Sequence, residues 1–306
     1  MNFEKFLVDP PFPQFAQFET GTACNAECIM CPHDQMKRQG TAKWSLISKI
    51  IREVAPKVHC ICPFLMQEPF LERRLPAILA NIKQWNRKCV TGVYSNMAYV
   101  PDAMMRQIID CDLLDELHIS FYGPTEELYR KWQPPFNRAV TVQNIKKFFR
   151  YRQLKNRLKP KIDLHVIMVP ELMEAVGGYK DVLDFVDDIE FVRFDTFHGD
   201  VPDMAGDVTE YLGPPKPRTP CNRLWATINV HFDGSVVPCC IDYNAENVLG
   251  NACKDSLDDV WHNSNFVAFR QLHLEGRWNE IPMCRDCQVH EYAFNKEWVD
   301  YWLNQK

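Results

Sequence analysis

No apolar run in the 306 residues is long enough to cross a membrane. The start of the chain, Met1 to Pro13, breaks Phe3, Phe6, Leu7, Val8 and Phe12 with Glu4, Lys5 and Asp9, so a signal peptide is lacking too. Positive charge is not in excess. The formal net charge is −5, which argues against a general nucleic-acid binder. Internal repeats and low-complexity tracts are also missing. These absences lead to the expectation of a soluble globular protein in the cytoplasm, long enough for one large domain plus a smaller one. What the sequence has in quantity is cysteine. Thirteen thiols without a secretory signal point away from a disulfide scaffold and toward metal ligation in a reducing compartment.

Three of these thiols, Cys24, Cys28 and Cys31, are spaced C-x3-C-x2-C and followed at once by Pro32 and His33. Thiolates this close can fold back onto one metal centre. On a cubane of four irons, three of them leave one iron without a protein donor and open to a small molecule. Zinc with a fourth ligand such as His33 is the alternative. A second set lies near the other end, where Cys221, Cys239, Cys284 and Cys287 form C-x17-C-x44-C-x2-C. Four thiolates leave no open iron, so a cluster there is suited to electron transfer or to shaping a pocket; a structural zinc ribbon is the alternative. Cys240, adjacent to Cys239, is a second candidate for that ligand position.

Between the two sets the hydrophobic pattern alternates in type. QFAQFET (14–20) reads as a half-buried strand that delivers the chain to the first cysteine loop. Helical spacing over Trp44–Val54, Leu75–Trp85, Ala103–Ile109, Val140–Leu154 and Tyr179–Val186 alternates with strand-like runs at Val58–Leu65, Cys89–Tyr94, Leu117–Phe121, Ile162–Val169 and Phe191–Phe197. Strands alternating with such helices imply a parallel sheet with right-handed crossovers. Six units before residue 200 are too few for a closed eight-unit barrel. The stretch Gly199–Pro220, rich in Pro, Gly and Asp, reads as a linker. Beyond it, Asp233-Gly234 between apolar alternations marks a hairpin, and a helix is expected from Ser256 to about Leu274. The resulting division is 1–200, a linker over 201–220, and 221–306.

The first cysteine loop and its setting resemble the radical S-adenosylmethionine (SAM) enzymes over roughly residues 14–200. The words DGSVVPCC, LGN, SLDDVW and PMCRDC resemble the SPASM auxiliary-cluster module in its short, single-cluster "twitch" form. Met30 stands where the family often has an aromatic residue, and Met66-Gln67 replace both glycines of its Gly-Gly-Glu motif. The resemblance implies an α/β fold, a partial (β/α)6 barrel followed by a small α+β domain with a β-hairpin. It also implies a SAM-binding [4Fe-4S] cluster on Cys24, Cys28 and Cys31, an auxiliary [4Fe-4S] cluster on Cys221, Cys239, Cys284 and Cys287, and SAM itself. Glu68 and Pro69, Ser95 and Asn96, and Ser120 fall where the family places groups around SAM.

Other residues carry two readings. Arg193 and Asp195, two apart on the sixth strand, could orient a polar substrate or take its proton, or hold the sheet as an ion pair. Glu171 is a further candidate of the same kind. Cys253 could return a hydrogen atom to a carbon radical, as an epimerase needs, or be inert. Cys60 and Cys62 read as buried hydrophobes. The basic run 146–161 reads as a solvated helix face, with an anionic substrate tail or a partner protein as the alternative.

The resemblance implies a 5′-deoxyadenosyl radical that abstracts hydrogen from a hydroxylated carbon of a sugar- or aminocyclitol-like small molecule. Oxidation with the auxiliary cluster as electron acceptor is the leading expectation. Epimerisation using Cys253, peptide modification, and a non-catalytic metal-binding role are the alternatives. A reducing partner such as flavodoxin or ferredoxin is implied; nucleic acid and membrane are not.

Overall fold

The computed structural model describes residues 7–207 and 218–287. Part of the expected linker, 208–217, and part of the expected C-terminal domain, 288–306, lie outside the described residues. Six strands, β1 (Phe15–Phe18), β2 (Cys60–Cys62), β3 (Val90–Ser95), β4 (Glu116–Ser120), β5 (Lys161–Met168) and β6 (Asp188–Arg193), pair in sequence order, all parallel. The helices between them include α1 (Trp44–Val54), α2 (Leu75–Trp85), α3 (Asp102–Asp110), α4 (Glu126–Trp132) and α5 (Arg138–Leu154). This is the expected open half-barrel. Its helices form where apolar residues recur at helical spacing: Leu46, Ile47, Ile50, Ile51 and Val54 of α1 are all buried. Asn137 caps α5 by accepting from the Ala139 and Val140 amides.

The sheet does not stop at the half-barrel. β7 (Thr227–Val230) pairs parallel to the free side of β1, Phe15 against Thr227 through Phe18 against Val230. β8 (Ser235–Val237) and β9 (Gly250–Asn251) follow antiparallel, completing nine strands in the order β6-β5-β4-β3-β2-β1-β7-β8-β9. The Asp233-Gly234 signal is the β7–β8 turn, with Gly234 at φ 90°, a conformation that favours glycine. The expected auxiliary hairpin is therefore welded to the edge of the barrel sheet.

Along each strand alternate residues face the helices. Ala16, Phe18, Ile61, Ile228 and Val230 join one buried cluster, and Leu117, Ile119, Ile162 and Leu164 another. Residues between them, Gln17, His118, Asp163 and Asn229, take the opposite face. Several expectations differ in extent. β2 is three residues of the expected Val58–Leu65, and the helix expected over Tyr179–Val186 spans only Lys180–Leu183. The helix expected over 256–274 is two, α6 (Leu257–Trp261) and α7 (Ser264–Leu274), because the Asn263 side chain accepts from the Phe266 amide and starts a new helix. The sixth strand ends at Arg193 rather than Phe197, where Asp195 accepts from the Phe197 amide and turns the chain.

Trp261 locks the C-terminal helices to the N-terminal segment. It is fully buried, its indole N–H reaches the carbonyls of Pro10 and Pro11, and the Arg270 guanidinium lies 4.1 Å from its ring centroid. Trp261→Ala is expected to cost about 3–5 kcal/mol in urea denaturation; a loss below about 1 kcal/mol would contradict this packing role.

Candidate iron–sulfur and SAM site

Parallel strands present their carboxyl ends on one side, and the first cysteine loop follows the carboxyl end of β1. The first loop leaves β1 through Glu19, whose amide donates to the Val230 carbonyl of β7 at 2.8 Å. The loop is then pinned by backbone bonds. The Glu27 amide donates to Pro134 at 2.8 Å, Ile29 to Trp132 at 3.3 Å, and Cys31 to Cys28 at 3.0 Å. Met30 packs in a small core with Trp132, Ile167 and Phe194, so a thioether occupies the place where the family often has a ring. His33 is held elsewhere, its Nε2 donating to the Thr22 carbonyl at 2.7 Å.

Burial pushes all three thiols up, and for Cys28 and Cys31 the neighbouring thiolates add to it; Cys31 reaches about 11. Three thiolates in so little water repel one another. They need a cationic centre to ionise together, which an iron cluster supplies.

Glu68 organises the ground beside this loop. Only 3% exposed, it accepts from the Phe70 amide at 3.0 Å, the Ser95 hydroxyl at 2.8 Å and the Asn96 amide at 2.9 Å. Its own amide donates to the Ala23 carbonyl at 2.9 Å, and the Asn96 side chain donates to Asn25 inside the cysteine loop at 2.9 Å. Pro69 opens the short turn that follows. Glu68, Pro69, Ser95 and Asn96 are thus brought together against the loop. Burial raises the Glu68 carboxyl to about 7, and the three donors hold it back from rising further. Ser120 ends β4 close by, where its carbonyl accepts from Gln133. Gln133 also receives the Tyr122 amide, and the half-buried Tyr122 ring packs with Cys28 and Met30. Neither Gln133 nor Tyr122 was singled out from sequence; only the polar Gln133 among buried neighbours gave any signal.

The second set converges. Cys221, Cys239, Cys284 and Cys287 all line one small cavity. Cys240 does not line it. Its sulfur sits 2.7 Å from Arg223 Nη1, which is 3.7 Å from the Cys239 sulfur. A hydrogen bond from Cys240, with help from Arg223, pulls Cys239 down to about 6, whereas burial raises Cys221 to about 11. Among the described residues no three His, Cys, Asp or Glu side chains are grouped as around a single metal ion. Two buried atoms without partners, Thr219 Oγ1 and His273 Nε2, belong to residues of the same cavity wall. Hydrogen donors beside thiols and an empty space fit a cluster whose sulfurs accept.

Asp195 and Arg193 follow from β6. Burial raises the Asp195 carboxyl, offset by the Phe197 amide and by Arg223 and His198. Asp195 therefore faces the auxiliary module. Phe197 packs against the apolar groups around Cys28, Cys31 and Cys239 alike, between the two cysteine sets. Glu171 is engaged by Lys131 and the Trp132 indole. Cys253 lies apart from this assembly: it is exposed, and its thiol donates to the Asp233 carbonyl at 3.5 Å.

Glu68→Ala leaves the Phe70 and Asn96 amides without their acceptor. A loss of about 1–3 kcal/mol per orphaned amide is expected in chemical denaturation. Iron loading of the first cysteine set should fall with it, and unchanged stability and loading would show that Glu68 does not organise the site.

Comparison with known proteins follows this geometry. Residues 221–288 match the SPASM iron-sulfur cluster-binding domain. The sequence is 37% identical over 54 residues to the S-adenosyl-L-methionine-dependent 2-deoxy-scyllo-inosamine dehydrogenase of Niallia circulans. That alignment spans 18% of this chain and 22% of the relative's length. The fold is similar to that of BtrN in complex with AdoMet and 2-DOIA, with a TM-score of 0.60 and 15% identity over 90% of this chain and 93% of that one. It is also similar to Streptococcus suis SuiB bound to precursor peptide SuiA, with a TM-score of 0.69 and 13% identity over 97% and 75% of the two chains. A third match is anSMEcpe with bound AdoMet, with a TM-score of 0.61 and 12% identity over 96% of each chain. The chain has the fold of the radical SAM enzymes and carries a SPASM domain at residues 221–288.

Proposed function

We propose that this chain is a radical SAM oxidoreductase that oxidises a hydroxylated carbon of a small, sugar- or aminocyclitol-like molecule. The observation that carries the reading is the cavity lined by four thiols on the same sheet as the three-cysteine loop. Cys24, Cys28 and Cys31 would hold the SAM-binding cluster, and Cys221, Cys239, Cys284 and Cys287 the auxiliary one. When bound, SAM and its cluster supply a 5′-deoxyadenosyl radical for hydrogen abstraction, and the fully ligated cluster supplies an acceptor for one electron.

The chain's own residues do the rest. Glu68, Ser95 and Asn96 fix the floor on which SAM would lie, and Asn96 ties that floor to the cysteine loop. Oxidation of an alcohol releases the hydroxyl proton as well as the carbon-bound hydrogen. Asp195 would take it: its Oδ1 accepts from the Phe197 amide, and burial makes the carboxylate a stronger base. The relative of Niallia circulans supports the substrate class, by its printed activity. Cys253, exposed and bonded to a carbonyl, gives the epimerase reading no hydrogen donor facing the assembled site.

The reconstituted chain with SAM and dithionite should form 5′-deoxyadenosine, and Cys28→Ala should form none. With 2-deoxy-scyllo-inosamine or related aminocyclitols, the product should be two mass units lighter. Asp195→Asn should lower that product about 10²–10⁴-fold. An unchanged mass with solvent deuterium at one carbon would favour epimerisation, a product only from peptides would favour peptide modification, and no 5′-deoxyadenosine at all would contradict radical chemistry.

A further inference from the structure

The wall of the four-cysteine cavity carries more hydrogen-bond donors than its protein acceptors use. His273 is 2% exposed, and its Nδ1 accepts from the Cys221 amide at 3.3 Å, so the proton of the neutral ring sits on Nε2. That Nε2 has no partner, and neither has the buried Thr219 Oγ1. Both residues line the cavity, as does Arg223, whose guanidinium lies 3.7 Å from the Cys239 sulfur. A buried donor left unpaired costs stability, so a chain retains such a group where something absent from the polypeptide accepts from it. The acceptors this space would contain are sulfurs: four thiolates and the sulfides of a cubane.

We propose that His273, Thr219 and Arg223 form a hydrogen-bonding shell around the auxiliary cluster that raises its reduction potential and so fits it to accept an electron. The proposal rests on the oxidoreductase reading above. A four-iron core held by four thiolates is anionic, and one-electron reduction makes it more so. Donors and a cation aimed at its sulfurs stabilise the reduced form more than the oxidised form. In the proposed oxidation the cluster, when bound, would supply the acceptor for one electron from the substrate radical and Asp195 would take the hydroxyl proton, giving the carbonyl product. Cys240 belongs to the same shell, holding Arg223 at 2.7 Å on the side away from the cavity. The three donors come from distant places in the chain: Thr219 and Arg223 flank Cys221, and His273 lies on α7.

The test uses the full chain with Cys24, Cys28 and Cys31 all changed to Ala, reconstituted anaerobically with iron and sulfide, so that only the C-terminal set is loaded. Iron content and the midpoint potential of the reduced-cluster EPR signal are measured for this parent and for His273→Phe, Thr219→Val and Arg223→Met added to it. At full iron content, each change should move the potential to a more negative value, Arg223→Met most because it removes a charge as well. His273→Gln and Thr219→Ser, which keep a donor, should return it toward the parent. An unchanged potential in all three apolar variants would overturn the proposal. If an apolar variant loses iron, recovery of iron and potential in its donor-keeping counterpart supports the proposal, and failure to recover overturns it. A parent that binds no iron would instead remove the cluster reading itself.

Discussion

The pairing of β1 with two partners at once, β2 on one side and β7 on the other, is the constraint on which the rest of the molecule depends. A strand of four residues, Phe15–Phe18, is the inner seam of a nine-stranded sheet. Because both pairings are parallel, β1 and β7 deliver their following loops to the same side. The β1 loop carries Cys24, Cys28 and Cys31, while Cys221 and Cys239 flank β7 and β8, the two strands joined to β1 on its other side. Without that seam the two cysteine sets would belong to units free to move apart. With it, Phe197 can pack between both, and Asp195 of the barrel can face Arg223 of the C-terminal module.

Electrostatics gives the two sets different characters. Around the first, burial raises the thiols and the carboxyls of Glu68 and Asp34 add to it. Around the second, burial raises Cys221 and Cys284 against the opposing pull of Arg218, and Cys239 is drawn down chiefly by a hydrogen bond from Cys240, with Arg223 adding to it.

Much of this was legible in the sequence, and the physical reasons are local. Cysteine spacing, the alternation of strand and helix periods, and Asp233-Gly234 are short-range signals, and each lies where the pattern placed it. The break at Asn263 was missed because an apolar run at helical spacing outweighed one capping side chain. The early end of β6 was missed because FVRFDTF alternates past the point where Asp195 folds back on its own chain. The sheet-to-sheet join at β1 and β7 is a contact across more than two hundred residues, and no period in either strand announces it. The same holds for His273, an ordinary helix residue until Cys221 and the cavity are set beside it. Cys253 was weighed for its neighbourhood in the motif; it follows β9 and is exposed. Between Cys239 and Cys240, only the first lines the cavity, and the sulfur of the second lies 2.7 Å from Arg223 Nη1.

Two clusters held on one sheet can be counted directly. Iron and sulfide per chain, measured after anaerobic reconstitution of the wild type and of the Cys24/Cys28/Cys31→Ala variant, should be about eight and about four respectively. About four irons in the wild type and none in the variant, with zinc in the C-terminal set, would contradict the auxiliary electron acceptor and leave that cavity a structural zinc site.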